Sequence, residues 1–155
     1  MANAIDLSVP LDEVQAAVRE RVLAGAASHD EVVWSRDGAE LLVHARSLRL
    51  RATAGFLVAE LAAESEQTGA VSVRMVLFLG TAAAGGGLSA AVSHDGATPA
   101  VLVDAWGEAL RAAVWEGVLD VVEGVAVTAS RVAGVPLRVL GLTGGEDRVH
   151  IAVGA

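Results

Sequence analysis

Few stretches of this chain combine residue types and spacings that could do chemistry. Gly80-Thr81-Ala82-Ala83-Ala84-Gly85 has the glycine spacing of a phosphate-binding loop. Gly86 and Gly87 then stand where that loop needs lysine and serine or threonine, and the chain has no lysine to neutralise a phosphate. Gly87-Leu88-Ser89-Ala90-Ala91 approaches the sharp turn that presents a nucleophilic serine, with His94 and Asp95 close by. Ala91 replaces the final glycine of that turn, and the flanking order is not strand then helix. The histidines His29, His44, His94 and His150 are scattered with no i, i+4 pair, and there is no cysteine, so metal-ligand spacing is absent. Asp104, Glu108, Glu116 and Asp120 recur at multiples of four, which on a helix makes a solvated acidic face. Arg49, Arg51 and Arg74 are expected on one outer sheet face, paired with nearby acids, with an anion site as the lesser reading. No catalytic residue, metal site or cofactor follows from these patterns.

Composition narrows the function classes further. The 155 residues fit one domain, residues 1–155, and all 11 basic residues are arginine against 19 acids, giving a net charge of -8. Such a surface repels phosphate polymers and anionic headgroups, so nucleic acid is not expected as a partner. The start of the chain carries Asp6 and no basic residue, unlike an export signal, which favours a cytoplasmic protein. Residues 75–93 hold no formal charge, but their glycines each cost a helix about 1 kcal/mol, so no transmembrane segment is expected. The apolar fraction is high: 54% before glycine is counted, against roughly 45 to 50% with glycine in ordinary soluble domains.

The elements that must carry these residues are read from periodicity. Ile5, Leu7 and Val9 alternate as a short strand, and Pro10 then opens a helix with Leu11, Val14, Val18 and Val22 on one face, stopped by Gly25. From Glu31 the period is two. Asp37-Gly38 supplies the positive φ angles of a two-residue hairpin turn. Leu41, Val43 and Ala45 have the opposite parity to Leu48, Leu50 and Ala52, so one extra residue near Arg46 or Ser47 is needed to keep a continuous apolar face, with His44, Arg49 and Arg51 outside. Residues 56–63 and the alternating Val71, Val73, Met75, Leu77 and Leu79 continue an antiparallel meander. Residues 81–87 read as a loop, and 88–93 as an edge strand. Thr98-Pro99 predicts a helix start, with Thr98 as cap, and Gly124 its end near Glu123. On that helix Trp106, Leu110, Ala113, Val114, Gly117, Val118 and Val121 share a face, while Trp115 falls opposite Trp106 on the charged side. Residues 125–135 are ambiguous between strand and helix, and 136–153 read as a closing hairpin.

In this order, Ile5-Asp6-Leu7-Ser8-Val9-Pro10-Leu11 runs into the first helix, alternating strands extend from Glu31 to Leu79, and a long helix from Pro99 precedes the strand at 148–153. It resembles small bacterial members of the tubular lipid-binding superfamily, which includes the bactericidal/permeability-increasing proteins and the synaptotagmin-like mitochondrial lipid-binding domains. The resemblance implies an α+β fold: a curved antiparallel meander sheet wrapped around a long helix in the C-terminal half, with a short N-terminal helix. It also implies acyl chains held between sheet and helix, and no catalysis.

Each apolar residue taken singly is an ordinary core position. Together, a long amphipathic helix in the concavity of a bulged sheet, with only Ala113 and Gly117 to fill it, leaves space for an apolar guest. The expected function is therefore non-enzymatic binding of a lipid or other apolar small molecule, with Met75, Leu77, Trp106, Leu110, Val73 and Leu50 as ligand contacts. The alternative is a homo-oligomeric interaction module with a dry core, most simply a homodimer, in which Trp115 and Leu119 form the interface.

Overall fold

β1 (Ile5–Pro10) has no loop behind it and runs directly into α1 (Leu11–Leu23) in a computed structural model that describes residues 3–80, the backbone of 91–94, and 96–155. Pro10, at φ -59°, is already close to a helical φ, and Asp12 and Glu13 meet the positive end of the helix. Val14, Val18 and Val22 are fully buried along one stripe. Ala24 ends the helix in the left-handed region at φ 49°, its N–H returning to the Glu20 carbonyl at 3.1 Å.

Five strands follow as a meander: β2 (Val32–Arg36), β3 (Ala39–Thr53), β4 (Phe56–Ser65), β5 (Gly69–Phe78) and β6 (Ala91–His94), hydrogen-bonded in chain order and antiparallel throughout. The Asp37-Gly38 turn has both φ angles positive, 52° and 80°, as its sequence predicts. The irregularity in β3 lies where parity demanded it, but it is larger than one residue. His44 pairs with Ala62 and Arg49 with Glu60, so β3 advances five positions while β4 advances two. An odd excess is what matters, because it returns Leu48 and Leu50 to the face that Leu41, Val43 and Ala45 occupy. Ser47 holds the bulge: its hydroxyl donates to the His44 carbonyl at 2.6 Å and accepts from the Ala62 N–H at 2.8 Å. The loop expected at residues 81–87, and Ser89 and Asp95, lie outside the described residues.

α2 (Ala100–Ala133) corrects three expectations. It passes through Gly124 without ending, so most of the ambiguous segment 125–135 is helix, and Gly134 at φ 71° terminates it. Burial of Val114, Val118, Val122 and Ala126, each four residues on, outweighs one exposed glycine worth about 1 kcal/mol. Thr98 does not cap the helix. Its buried hydroxyl instead accepts the Arg74 N–H at 3.2 Å. Trp115 is half-buried against the core rather than exposed on a charged face, because a helix that touches α1, β6 and β7 has neighbours on more than one side.

β7 (Arg138–Gly145) and β8 (Arg148–Gly154) form the closing hairpin around Glu146 and Asp147, both at positive φ. They do not extend the meander. β8 pairs with β1, Ile5 opposite Val153, so a second sheet has the order β1-β8-β7. In place of a single meander sheet there are two antiparallel sheets, neither of them closed, together with the expected long helix. One contiguous apolar cluster joins both sheets and both helices. Among the described residues, no helix is long and apolar enough to cross a membrane.

Candidate ligand groove

The residues expected to contact a ligand converge in that cluster. Val73, Met75, Leu77 and Leu110 have no exposed surface, while Leu50 keeps 6% and Trp106 5%. Trp106 lines two hollows, beside Trp34, whose ring is 6.3 Å away. One of these, about 640 Å³, is rimmed by Asp37, Glu40, Glu64 and Glu66 under two hairpin turns. Trp34 is anchored by its Nε1–H, which donates to the Val22 carbonyl at 3.0 Å.

A strongly apolar opening lies elsewhere and follows from the breadth of the apolar arc on α2. Val118, Val122 and Ala126 point into the core, and Val121, Val125, Ala129 and Val132 form a second stripe one residue, or about 100°, around the helix. The first stripe is buried, whereas Val121, Val125 and Ala129 are half-buried against the core and Val132 is exposed. Opposite it, β1 presents Ile5 and Leu7, and the exposure of the strand rises from buried Val9 to Ile5 at 45%. The result is a groove of about 940 Å³ between β1 and the second half of α2, with Val132 at its mouth 86% exposed. Gly124 and Ala133 keep the helix wall low.

The charged residues lining the groove are both acids, Glu13 and Asp120. Asp120 is held by Arg21 of α1 in a two-pronged contact at 2.6 and 2.7 Å, and Glu116 lies 3.4 Å from the same guanidinium. That hydrogen bonding keeps the Asp120 carboxyl below the usual carboxylate range, against a smaller opposing effect of desolvation. Ser8, on the β1 margin, accepts a hydrogen bond from Arg148 Nε at 2.9 Å. The outer edge of β1 borders the groove, and no hydrogen bond among the described residues reaches its backbone from that side. The groove therefore offers apolar contact, carboxylates at the margin and a row of unpaired peptide groups.

The remaining candidates take structural roles. Glu60 pairs with Arg51 at 2.7 Å and stands 3.8 Å from Arg74, as expected, whereas Arg49 donates instead to the Arg46 and Leu48 carbonyls at 3.2 and 2.9 Å. His44 lies between Glu31 and Glu64, at 3.4 and 3.2 Å. Among the described residues there is no cluster of three or more His, Cys, Asp or Glu that could hold a metal ion. Leu119 is half-buried beside Val127, Leu137 and Val139 in a hollow of about 390 Å³ on the other flank of α2. The groove was missed because its signal, Val121-Val125-Val132 continuing past Gly124, depends on the helix not ending there. No family model, no curated protein and no solved structure matches the chain.

Proposed function

We propose that the protein acts by binding rather than catalysis, and that the groove between β1 and the second half of α2 seats a lipid or another apolar ligand. This keeps the ligand between a sheet and the long helix, as the resemblance to tubular lipid-binding proteins implies. It moves the contacts from the filled space around Met75 and Leu77 to Ile5, Leu7, Val121, Val125 and Val132. The observation that carries the reading is an open apolar volume of about 940 Å³, within the range of small-molecule sites at roughly 300 to 1,000 Å³. Carboxylates at the margin favour ligands with neutral heads over anionic ones.

The test is native mass spectrometry of freshly purified protein with organic extraction, followed by titration with monolaurin, a neutral single-chain lipid. Wild type is expected to carry or take up lipid, and Val125→Asp with Val132→Asp to weaken uptake at least tenfold. Equal uptake by wild type and variant would overturn the assignment of the groove. A second reading, self-association through the opposite flank, is favoured by Val127, 51% exposed beside Leu119. Light scattering on dilution tests it, with Val127→Asp expected to abolish any dimer.

A further inference from the structure

β1 is an edge strand, and edge strands in native proteins are normally guarded against pairing with other chains. Here the guards are a short length, Asp6 on the outer face and Pro10 at the end. They are incomplete, because β1 and the half-buried apolar stripe of α2 line one groove, so the strand does not face water alone. The Leu11 N–H turns to the Asp147 carbonyl, so the backbone groups of Ile5, Leu7 and Val9 face β8, and a strand laid beside β1 would take up the outward N–H and C=O groups of Asp6 and Ser8. Its inward side chains would then cover Val121, Val125 and Val132.

We infer that the free edge of β1 receives an extended segment of another protein, apolar on its inner face and basic on its outer one. The inference rests on the groove being the binding seat, and it names a peptide as the ligand. Charge decides between occupants. Asp6 on the outer face of β1 and Glu13 at the groove margin are exposed, and Asp120 is already paired with Arg21. No basic residue lines the groove; Arg148, beside it, is engaged with Ser8. A second copy would bring the same carboxylates and the same charge of -8 to the contact, whereas arginine or lysine on the outer face of an incoming strand meets Asp6. Strand addition of this kind draws affinity from backbone hydrogen bonds and selectivity from alternate side chains.

The experiment uses the whole chain and a short capped peptide of alternating valine and arginine, matched in length to β1, with binding read by fluorescence anisotropy. Two further peptides carry N-methyl groups either on every valine amide or on every arginine amide. Because a strand pairs through every second residue, one methylated series is expected to lose at least tenfold in affinity while the other changes less than threefold. A glutamate-for-arginine peptide is expected to bind at least tenfold more weakly, and protection of the β1 amides in hydrogen exchange should rise with the parent peptide. Equal behaviour of the two methylated series would overturn the inference, since charge attraction alone is blind to that alternation. Uptake of monolaurin without binding of the peptide would also overturn it while leaving the groove reading intact. Failure of both probes would bring down the groove reading itself.

Discussion

Gly117 is where the packing of the two helices can be tested most sharply. A Cβ built there would stand 2.5 Å from Val18 Cα and 2.9 Å from Val18 N, both backbone atoms that cannot rotate away. Carbon atoms in contact sit about 3.5 to 4.0 Å apart, so Gly117→Ala must drive α1 and α2 apart by about 1 Å at their crossing. That movement loosens Val14, Val18 and Val22 against Val114 and Val118, all without exposed surface. Overpacking of this kind costs about 1 to 3 kcal/mol, and a backbone contact belongs at the upper end. Alanine returns about 1 kcal/mol of helix propensity, leaving a net loss of about 2 kcal/mol. For a chain of this length that corresponds to a fall in Tm of about 4 to 8 °C. Gly124 in the same helix is the matched control, since nothing lies within 4 Å of its would-be Cβ. Gly124→Ala should keep the propensity gain alone and raise Tm by about 2 to 4 °C. Calorimetry with urea titrations reads both variants. A Gly117→Ala protein as stable as Gly124→Ala would mean that the helices do not cross at Val18, and the reasoning would fail.

Three other perturbations probe separate contacts. Ser47→Ala leaves the Ala62 N–H without its acceptor in the β3 bulge, which should cost about 1 to 3 kcal/mol and speed exchange of that amide. Trp34→Phe keeps the ring against Trp106 but frees the Val22 carbonyl, and denaturant unfolding should show a loss of about 1 kcal/mol. Asp120 has a folded pKa below its unfolded one, so its stabilisation is complete above the ordinary carboxylate range, near 3.9, and is lost as pH falls through the folded value. The Tm gap between wild type and Asp120→Asn should therefore be present at neutral pH and close as the solution is acidified through the folded-state titration of Asp120.

The legible parts of the fold were those written in parity and turn chemistry. The clash between Val43-Ala45 and Leu48-Leu50 required a bulge, and Asp37-Gly38 required a hairpin, because a two-residue period tolerates no slip. The size of the bulge was not legible, since one extra residue and three give the same parity. The α2 terminus was misjudged at Gly124 because local propensity was weighed without the burial of Val122 and Ala126 beyond it. The separate sheet was hidden for a different reason: pairing of β1 with β8 is the longest-range strand pairing among the described residues, and nothing in Ile5-Asp6-Leu7 names its partner. With the helix shortened and β1 unplaced, neither wall of the groove could be read from the sequence.

That long-range pairing also sets an order of events during synthesis. Of the described elements β1 is made before all the others and its partner β8 after them. At translation rates of about 5 to 20 residues per second, roughly 7 to 30 s separate Ile5 from Val153. Throughout that interval β1 lacks the strand it pairs with, whereas α1 and the meander strands meet one another before α2 and β7 arrive. A nascent chain halted at the β7–β8 turn should thus leave Ile5–Pro10 open to proteases and to holdase chaperones, and release of the final strand should close that window at once.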